Sequence, residues 1–294
     1  MFVFKADIPM NEEEFRLLRD FVYQYCGLHF DLDSKYLLEK RLNKRLSEHR
    51  LSSFRDYYYL LRYSGEKEQE LAAVIDLLTT NETYFFREDF QLKTFTDEII
   101  PELCEEKRQR GERSLRIWSA GCSSGEEPYT IAMLLLERPE LVGWDINVIG
   151  TDISQDVLSK ARTGVYGANS FRATDDYFLR KYFNQSSTEE GKWKIDDRVK
   201  QLVAISHLNL FDSRRVALLG QVDLIFCRNV IIYFDLESKR MVIANLHGRL
   251  VSGGFLLLGH SESLMNISTD FQLRHFVNDM VYQRPVSATG GLCG

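Results

Sequence analysis

The sequence contains no apolar run of eighteen residues or more, and its first segment lacks a basic stretch followed by an apolar one. Neither a membrane-spanning helix nor a secretory leader is expected, so direct membrane insertion is set aside and the expected location is the cytoplasm. Cysteine is sparse: Cys26, Cys104, Cys122, Cys227 and Cys293 are odd in number, scattered, and never spaced C-x-x-C. This argues against a disulfide framework and against a zinc site. The six histidines fall at no ligand spacing, so no metal is expected. Positive charge is in deficit, with 37 Lys and Arg against 43 Asp and Glu and a net charge of −6. Such a chain has little general affinity for nucleic acid, which is not expected as a partner. No Ser-His-Asp or Cys-His set for nucleophilic catalysis can be assembled.

What is present is a globular composition, 44% hydrophobic and 27% charged, in 294 residues, a length comfortable for two domains. The stretch around which the chain is organised runs from Arg116 to Thr130, RIWSAGCSSGEEPYT. It reads as a buried parallel strand, a loop of small residues from Gly121 to Gly125, and a helix from Pro128 through Leu136 with proline in its first turn. Glycines at such a turn let the backbone approach a bound ligand. Glu126 and Glu127 sit at the mouth of that helix and would repel a pyrophosphate, whereas they suit a ligand with an amino group, ribose hydroxyls and a sulfonium. S-adenosylmethionine has these groups. The same turn also reads as a ligand-free loop whose glutamates favour the helix dipole.

The first eighty or so residues read as helices, with no strand signal before about residue 114. Asn11 and Glu14 form a capping pair, Phe15, Leu18, Phe21, Val22 and Tyr25 recur at helical spacing, and Gly27 closes the helix. A second helix starts near Asp33 or Ser34; it carries Leu38, Leu42 and Leu46 on one face and Lys40, Arg41, Lys44 and Arg45 on another. That basic stripe reads either as a solvated face or as a docking face for an anionic partner. Two more helices follow, the first led by Ser52 or Ser53. Asn81 to Glu88 joins this region to a long helix ending near Gly111. From Leu115 onward strands and helices alternate. The second strand, from Asp145, ends in Thr151-Asp152, where a doubly wound fold grips ribose hydroxyls, although Asp152 also reads as an N-cap. Short alternating runs around Trp193, Ile195, Val199 and Val203 suggest a small antiparallel insertion, about 185–206, before the core resumes at Leu208-Asn209-Leu210. Residues 221–227 read as a central strand delivering Arg228 and Asn229 to the ligand edge. Strands are also expected from Phe255 to Leu258 and near Met280 to Arg284. The tail, 287–294, reads as disordered.

Several motifs recur together in one order: N-x-T-x-F-F-R at Asn81 to Arg87, G-x-S-x-G-E-E-P-Y at Gly121 to Tyr129, Asp152, Asn209-Leu210, C-R-N-V-x-I-Y-F at Cys227 to Phe234, and G-H-S-E at Gly259 to Glu262. In these the sequence resembles the bacterial chemotaxis receptor methyltransferases, the CheR family, over nearly its whole length. The resemblance implies an α/β fold of the class I S-adenosylmethionine-dependent type, residues 81–286, behind an all-helical domain, residues 1–80. It implies cofactor contacts at Asn81, Thr83, Arg87, Gly121, Glu127, Asp152, Asn209, Leu210, Arg228 and Asn229, with Arg87 and Tyr233 beside the reacting carboxylate. The implied substrate is a glutamate side chain on the cytoplasmic helical region of a methyl-accepting receptor, engaged partly by the helical domain and its basic stripe. The products would be a glutamyl methyl ester and S-adenosylhomocysteine. In the family the β insertion can bind a receptor's C-terminal pentapeptide. An ionised carboxylate is already nucleophilic at neutral pH, which agrees with the missing general base. A nucleic-acid amino-methyltransferase would need an Asn-Pro-Pro-Tyr type motif where Arg228-Asn229-Val230-Ile231 stands. A catalytically silent, cofactor-binding adaptor is the other alternative.

Overall fold

The computed structural model describes residues 7–286, so the expected disordered tail and Cys293 lie outside the described residues. Helix α1, Glu12–Cys26, begins at the expected capping box: the Asn11 side chain accepts from the Glu14 N–H at 2.9 Å, and the Glu14 carboxylate takes the Asn11 N–H at 3.0 Å. Gly27 ends it at φ 73°, a left-handed conformation that favours glycine. A short turn, Leu32–Ser34, leads into α2, Lys35–Glu48, followed by α3, Phe54–Tyr63, capped by Ser53, and α4, Lys67–Leu78. Phe15, Leu18, Leu38, Leu42, Phe54 and Val74 close a core between the four, and Tyr233 and Phe234 from the far end of the chain pack on it.

The expected single helix before the sheet is built in three pieces: α5, Asp89–Thr94, a wider π turn, Phe95–Ile99, and α6, Ile100–Gln109. Pro101 lacks the N–H that a regular helix would aim at the Asp97 carbonyl, and the wider turn takes up the misfit.

The sheet has seven strands. They are β1 Ser114–Ala120, β2 Asp145–Asp152, β6 Val203–His207, β7 Val222–Cys227, β8 Leu250–Leu258, β9 Gln272–His275 and β10 Met280–Gln283, ordered β6-β2-β1-β7-β8-β10-β9. The first five in that order are parallel, and β10 and β9 are antiparallel additions. Every residue of β7 is buried, as a strand covered on both faces requires. Helix α7, Glu126–Leu136, joins β1 to β2, α8, Gln155–Thr163, leaves β2, and α12, Leu236–His247, joins β7 to β8; the short α9, Asp176–Tyr182, α10, Asp197–Lys200, and α11, Ser213–Ala217, complete the set. From β1 the chain winds outward to β2 and β6, then returns on the other side through β7. The strand order therefore reverses between β1 and β7, and their carboxyl ends open a crevice there.

The small antiparallel sheet exists but is placed differently from expectation. It consists of β3 Val165–Tyr166, β4 Phe183–Gln185 and β5 Trp193–Ile195, ordered β3-β5-β4. Val199 belongs to α10, and Val203–His207 is the parallel edge strand β6 of the main sheet. Its exposure alternates because an edge strand is covered on one side, and that alternation imitates an antiparallel ribbon. Strand β8 starts five residues before the expected Phe255 and runs through Ser252-Gly253-Gly254, and its register against β7 slips between Val222 and Leu224. Strand β9 had no signal, since QLRH holds one apolar residue.

Candidate active site

A cavity of about 490 Å³ opens where the loops after β1, β2 and β7 meet the end of α1 and the segment from Thr79 to Arg87. Every residue to which the family resemblance gives a cofactor contact or a place beside the reacting carboxylate lines it, from Asn81 to Tyr233, although those residues come from separate parts of the chain.

The loop after β1 is tied down by the Thr151 carbonyl, which accepts from the N–H groups of Gly121 at 2.8 Å and Cys122 at 2.9 Å. Gly121 lies at φ +83°, and a Cβ there would come within 2.4 Å of Val230 Cγ2. Gly125, at φ +94°, faces Ala161 Cβ at 2.9 Å in the same way. Turn geometry and packing against protein neighbours thus already require glycine at both places, before any approach to a ligand is considered. Helix α7 starts two residues earlier than expected, so Glu126 and Glu127 are its first turn rather than its mouth. Successive residues of a helix point about 100° apart. Glu126 accordingly turns inward, accepting from the Ser124 and Ser170 hydroxyls at 2.7 and 2.9 Å, and Glu127 alone of the two faces the cavity.

Glu127 accepts from Ser119 Oγ at 2.7 Å and lies 3.4 Å from Arg228 Nη1. Burial pushes its carboxyl above the usual range, Arg228 pulling the other way. Asp152 at the end of β2 accepts from the N–H groups of Ser123 at 2.8 Å and Ser154 at 2.9 Å, and burial raises it too. The cap of α8 is Ser154, whose hydroxyl accepts from Val157 N, so the N-cap alternative for Asp152 falls. Asn81 is joined to this loop through its carbonyl, which accepts from Ser123 Oγ at 3.1 Å. Asn209 gives its amide to the Tyr25 carbonyl at the end of α1 at 2.6 Å, and Leu210 follows it along the cavity wall.

Arg228 is almost wholly buried and works as a strut. It pairs with Glu88 at 3.3 Å as well as with Glu127, and it donates to the Arg87 carbonyl. Asn229 sits at φ 59°, and its buried Oδ1 has no partner among the described residues. One carboxylate holds the loop that carries it: Glu262 accepts from the N–H groups of Asn229, Gly259, Val230 and Ile232 at 2.7, 2.8, 2.9 and 3.3 Å. The sequence marks Glu262 as part of a motif without disclosing this function, and it contains no sign of Glu88 as a partner of Arg228. His260, beside it, is largely exposed and lies 3.7 Å from Glu88.

Arg87 donates from Nη1 to the Glu82 carbonyl at 3.0 Å and faces the Tyr84 ring; no carboxylate among the described residues pairs with its guanidinium. Among the described residues the Tyr233 hydroxyl has no hydrogen-bond partner either, while its carbonyl accepts from His29 N at 3.1 Å. The basic stripe is not one surface. Arg45 is drawn into the buried Glu70 carboxylate, which also binds the Tyr57 hydroxyl and the His49 ring, and it pairs with Glu48. Arg41 donates to the Leu78 carbonyl at 2.8 Å and lines the cavity. Only Lys40 and Lys44 stand in solvent, Lys44 at 3.9 Å from Glu48.

A buried acid and a half-buried one with raised carboxyls, an unpartnered amide oxygen and a guanidinium without a counter-ion among the described residues make a donor set that fits S-adenosylmethionine and a substrate carboxylate together. Among the described residues no cluster of His, Cys, Asp and Glu could hold a metal, and no helix is long and apolar enough to cross a membrane.

Comparison with known families gives two matches: residues 81–278 fit the CheR methyltransferase SAM-binding domain and residues 13–79 fit the CheR all-alpha domain. The chain is similar to chemotaxis protein methyltransferase 2 of Vibrio cholerae, 40% identical over 280 residues covering 95% of each chain. It is 36% identical to a chemotaxis protein methyltransferase of Borreliella burgdorferi, covering 89% of this chain and 92% of the other. Chemotaxis protein methyltransferase 1 of Pseudomonas aeruginosa matches at 33%, covering 92% and 97%.

Proposed function

The chain belongs to the CheR methyltransferase family, and from that premise we propose that it transfers the methyl group of S-adenosylmethionine to glutamate carboxylates of methyl-accepting chemotaxis receptors, leaving glutamyl methyl esters and S-adenosylhomocysteine. The observation that carries the reading is Arg87, a guanidinium on the wall of the cavity that Glu127, from the first turn of α7, and Asp152, from the end of β2, also line, and without a carboxylate partner among the described residues. When bound, the cofactor supplies a methyl group made electrophilic by its sulfonium. Asp152, Glu127, Asn229 and the Gly121 loop would hold it. Arg87 orients one oxygen of the substrate carboxylate, the Tyr233 hydroxyl donates a weaker hydrogen bond, and the second oxygen stays free to react. No residue needs to remove a proton, because a glutamate is ionised at neutral pH. Positioning and exclusion of water are the work of the chain. The deciding experiment is tritium transfer from labelled adenosylmethionine to receptor followed by base treatment: volatile methanol marks an ester, whereas stable label or no transfer rejects the reading.

The receptor's cytoplasmic helical region would lie along α2. Reversing Lys40 and Lys44 to Glu is expected to weaken receptor binding about tenfold in a pull-down and to leave calorimetric cofactor affinity unchanged, while Arg45→Ala mainly lowers the melting temperature by unpairing buried Glu70. Equal receptor affinity after the double reversal would remove α2 from the interface. The outer edges of β3 and β4 are where an extended receptor C-terminal peptide would add as a further strand.

The raised carboxyls of Glu127 and Asp152 set a pH dependence. A raised acid takes up its proton at a higher pH than a free one. The negative charge that attracts a sulfonium and an ammonium is therefore lost, as pH falls, at a higher pH than a free carboxylate would lose it. Cofactor affinity measured by calorimetry is expected to start falling, as pH is lowered, before the ordinary carboxylate range of about 4 is reached, and Asp152→Asn should flatten the profile. A flat wild-type profile would rule these acids out as charge partners.

A further inference from the structure

The main chain around Arg87 is constrained on both sides. Phe86 and Glu88 lie in the left-handed region at φ 58° and 59°, a conformation that neighbouring contacts must sustain. Those contacts are present: Phe85 N donates to the Ser170 carbonyl at 2.9 Å, Phe86 N to Thr130 Oγ1 at 3.2 Å, and Arg228 to the Arg87 carbonyl. None of them holds the Arg87 side chain.

Tyr84 does. The Arg87 guanidinium carbon is 5.7 Å from the centre of the Tyr84 ring, and that of Arg172 is 3.8 Å from the same centre. Glu82 accommodates both charges, its carboxylate pairing with Arg172 Nη2 at 2.7 Å and its carbonyl accepting from Arg87 Nη1 at 3.0 Å. Arg172 itself follows the turn Ala168–Phe171, whose Phe171 ring stacks on Phe85 at 5.3 Å, so the brace is anchored in the methyltransferase domain. Tyr84 occupies a position that the motif N-x-T-x-F-F-R leaves open.

We propose that Tyr84, with Arg172 stacked on it, is a positioning residue that sets the orientation of Arg87. It rests on the reading of Arg87 as the group that orients the substrate carboxylate. The chemistry of the brace suits that task. An acidic side chain would hold Arg87 more strongly but would neutralise it and occupy the N–H donors that the substrate needs. An aromatic face attracts the cation through its quadrupole and leaves those donors free.

The test is a set of variants of the full chain assayed for receptor methylation and for adenosylhomocysteine affinity. Tyr84→Phe keeps the ring face and is expected to retain wild-type kcat. Tyr84→Ala should lower kcat on the order of three- to tenfold, the scale of one cation–aromatic contact, with adenosylhomocysteine affinity and melting temperature unchanged. Arg172→Gln should fall between the two. In an Arg87→Ala background, Tyr84→Ala should have no further effect, which a merely structural role would not give. Wild-type kcat for Tyr84→Ala beside a crippled Arg87→Ala overturns the positioning role alone, and so does an equal loss in both backgrounds. Wild-type rates for Arg87→Ala overturn the underlying reading, and the proposal with it.

Discussion

Replacing Arg87 with alanine is expected to slow methyl transfer about 100-fold, the scale of a reacting group misplaced by about an ångström, while adenosylmethionine binds within a few-fold of its wild-type affinity. The asymmetry follows from what surrounds the residue. Glu127 and Asp152 are held by Ser119, Ser123, Ser154 and Arg228, and none of those contacts passes through the Arg87 side chain. The acids proposed to hold the cofactor should therefore stay where they are when the guanidinium is lost. The substrate carboxylate, in contrast, loses a charge-assisted donor, about twice as strong as a neutral one, and retains only the Tyr233 hydroxyl. Lysine would restore charge without the planar fork, so Arg87→Lys should recover only part of the rate. Calorimetric affinity lost in step with activity would instead make Arg87 a cofactor ligand.

Glu262→Ala is the second large effect. Four backbone N–H groups of the loops after β7 and β8 converge on this one carboxylate, and alanine leaves all four without an acceptor. Water reaches part of the site, so the net cost is about 2–3 kcal/mol rather than the full penalty for four buried donors, a fall of roughly 6 °C in melting temperature for a chain of this size. The functional loss should be larger than the loss of stability. Asn229 keeps its left-handed backbone through these bonds, and the same loop continues into Tyr233. Adenosylhomocysteine affinity is expected to drop at least tenfold, and Glu262→Gln, which turns an amide towards N–H donors, should lie between. A variant with unchanged melting temperature and unchanged affinity would mean that the loop supports itself.

What could be read in advance and what could not follow a physical division. The capping pair at Asn11 and Glu14, the glycine stop at Gly27 and the uniformly apolar β7 are local: neighbouring residues determine the backbone, and the pattern is visible without knowing the fold. The placement of Asp152 and Arg228-Asn229 was legible because strand ends beside a reversal of strand order are where such sheets open a crevice. Strand β6 was misread because exposure on one side of an edge strand has the same period as a ribbon. The division of the basic stripe on α2 was not legible, because a helical face shows which charges are adjacent but not that Glu70, on another helix, takes Arg45 out of it.

By itself the sequence determined the helical region followed by alternating strands and helices, the cofactor turn between Gly121 and Gly125, and the residues of its motifs. Only the tertiary structure decided which of those residues remain available. It turned Glu126 inward and Glu127 towards the cavity, divided the α2 bases between an ion pair, a backbone carbonyl and solvent, and gave Glu262 to four backbone donors. It also placed Tyr84 between two arginines that are far apart in the chain. The reason is that a side chain's chemistry depends on partners brought near by packing, and distance along the chain carries no information about them.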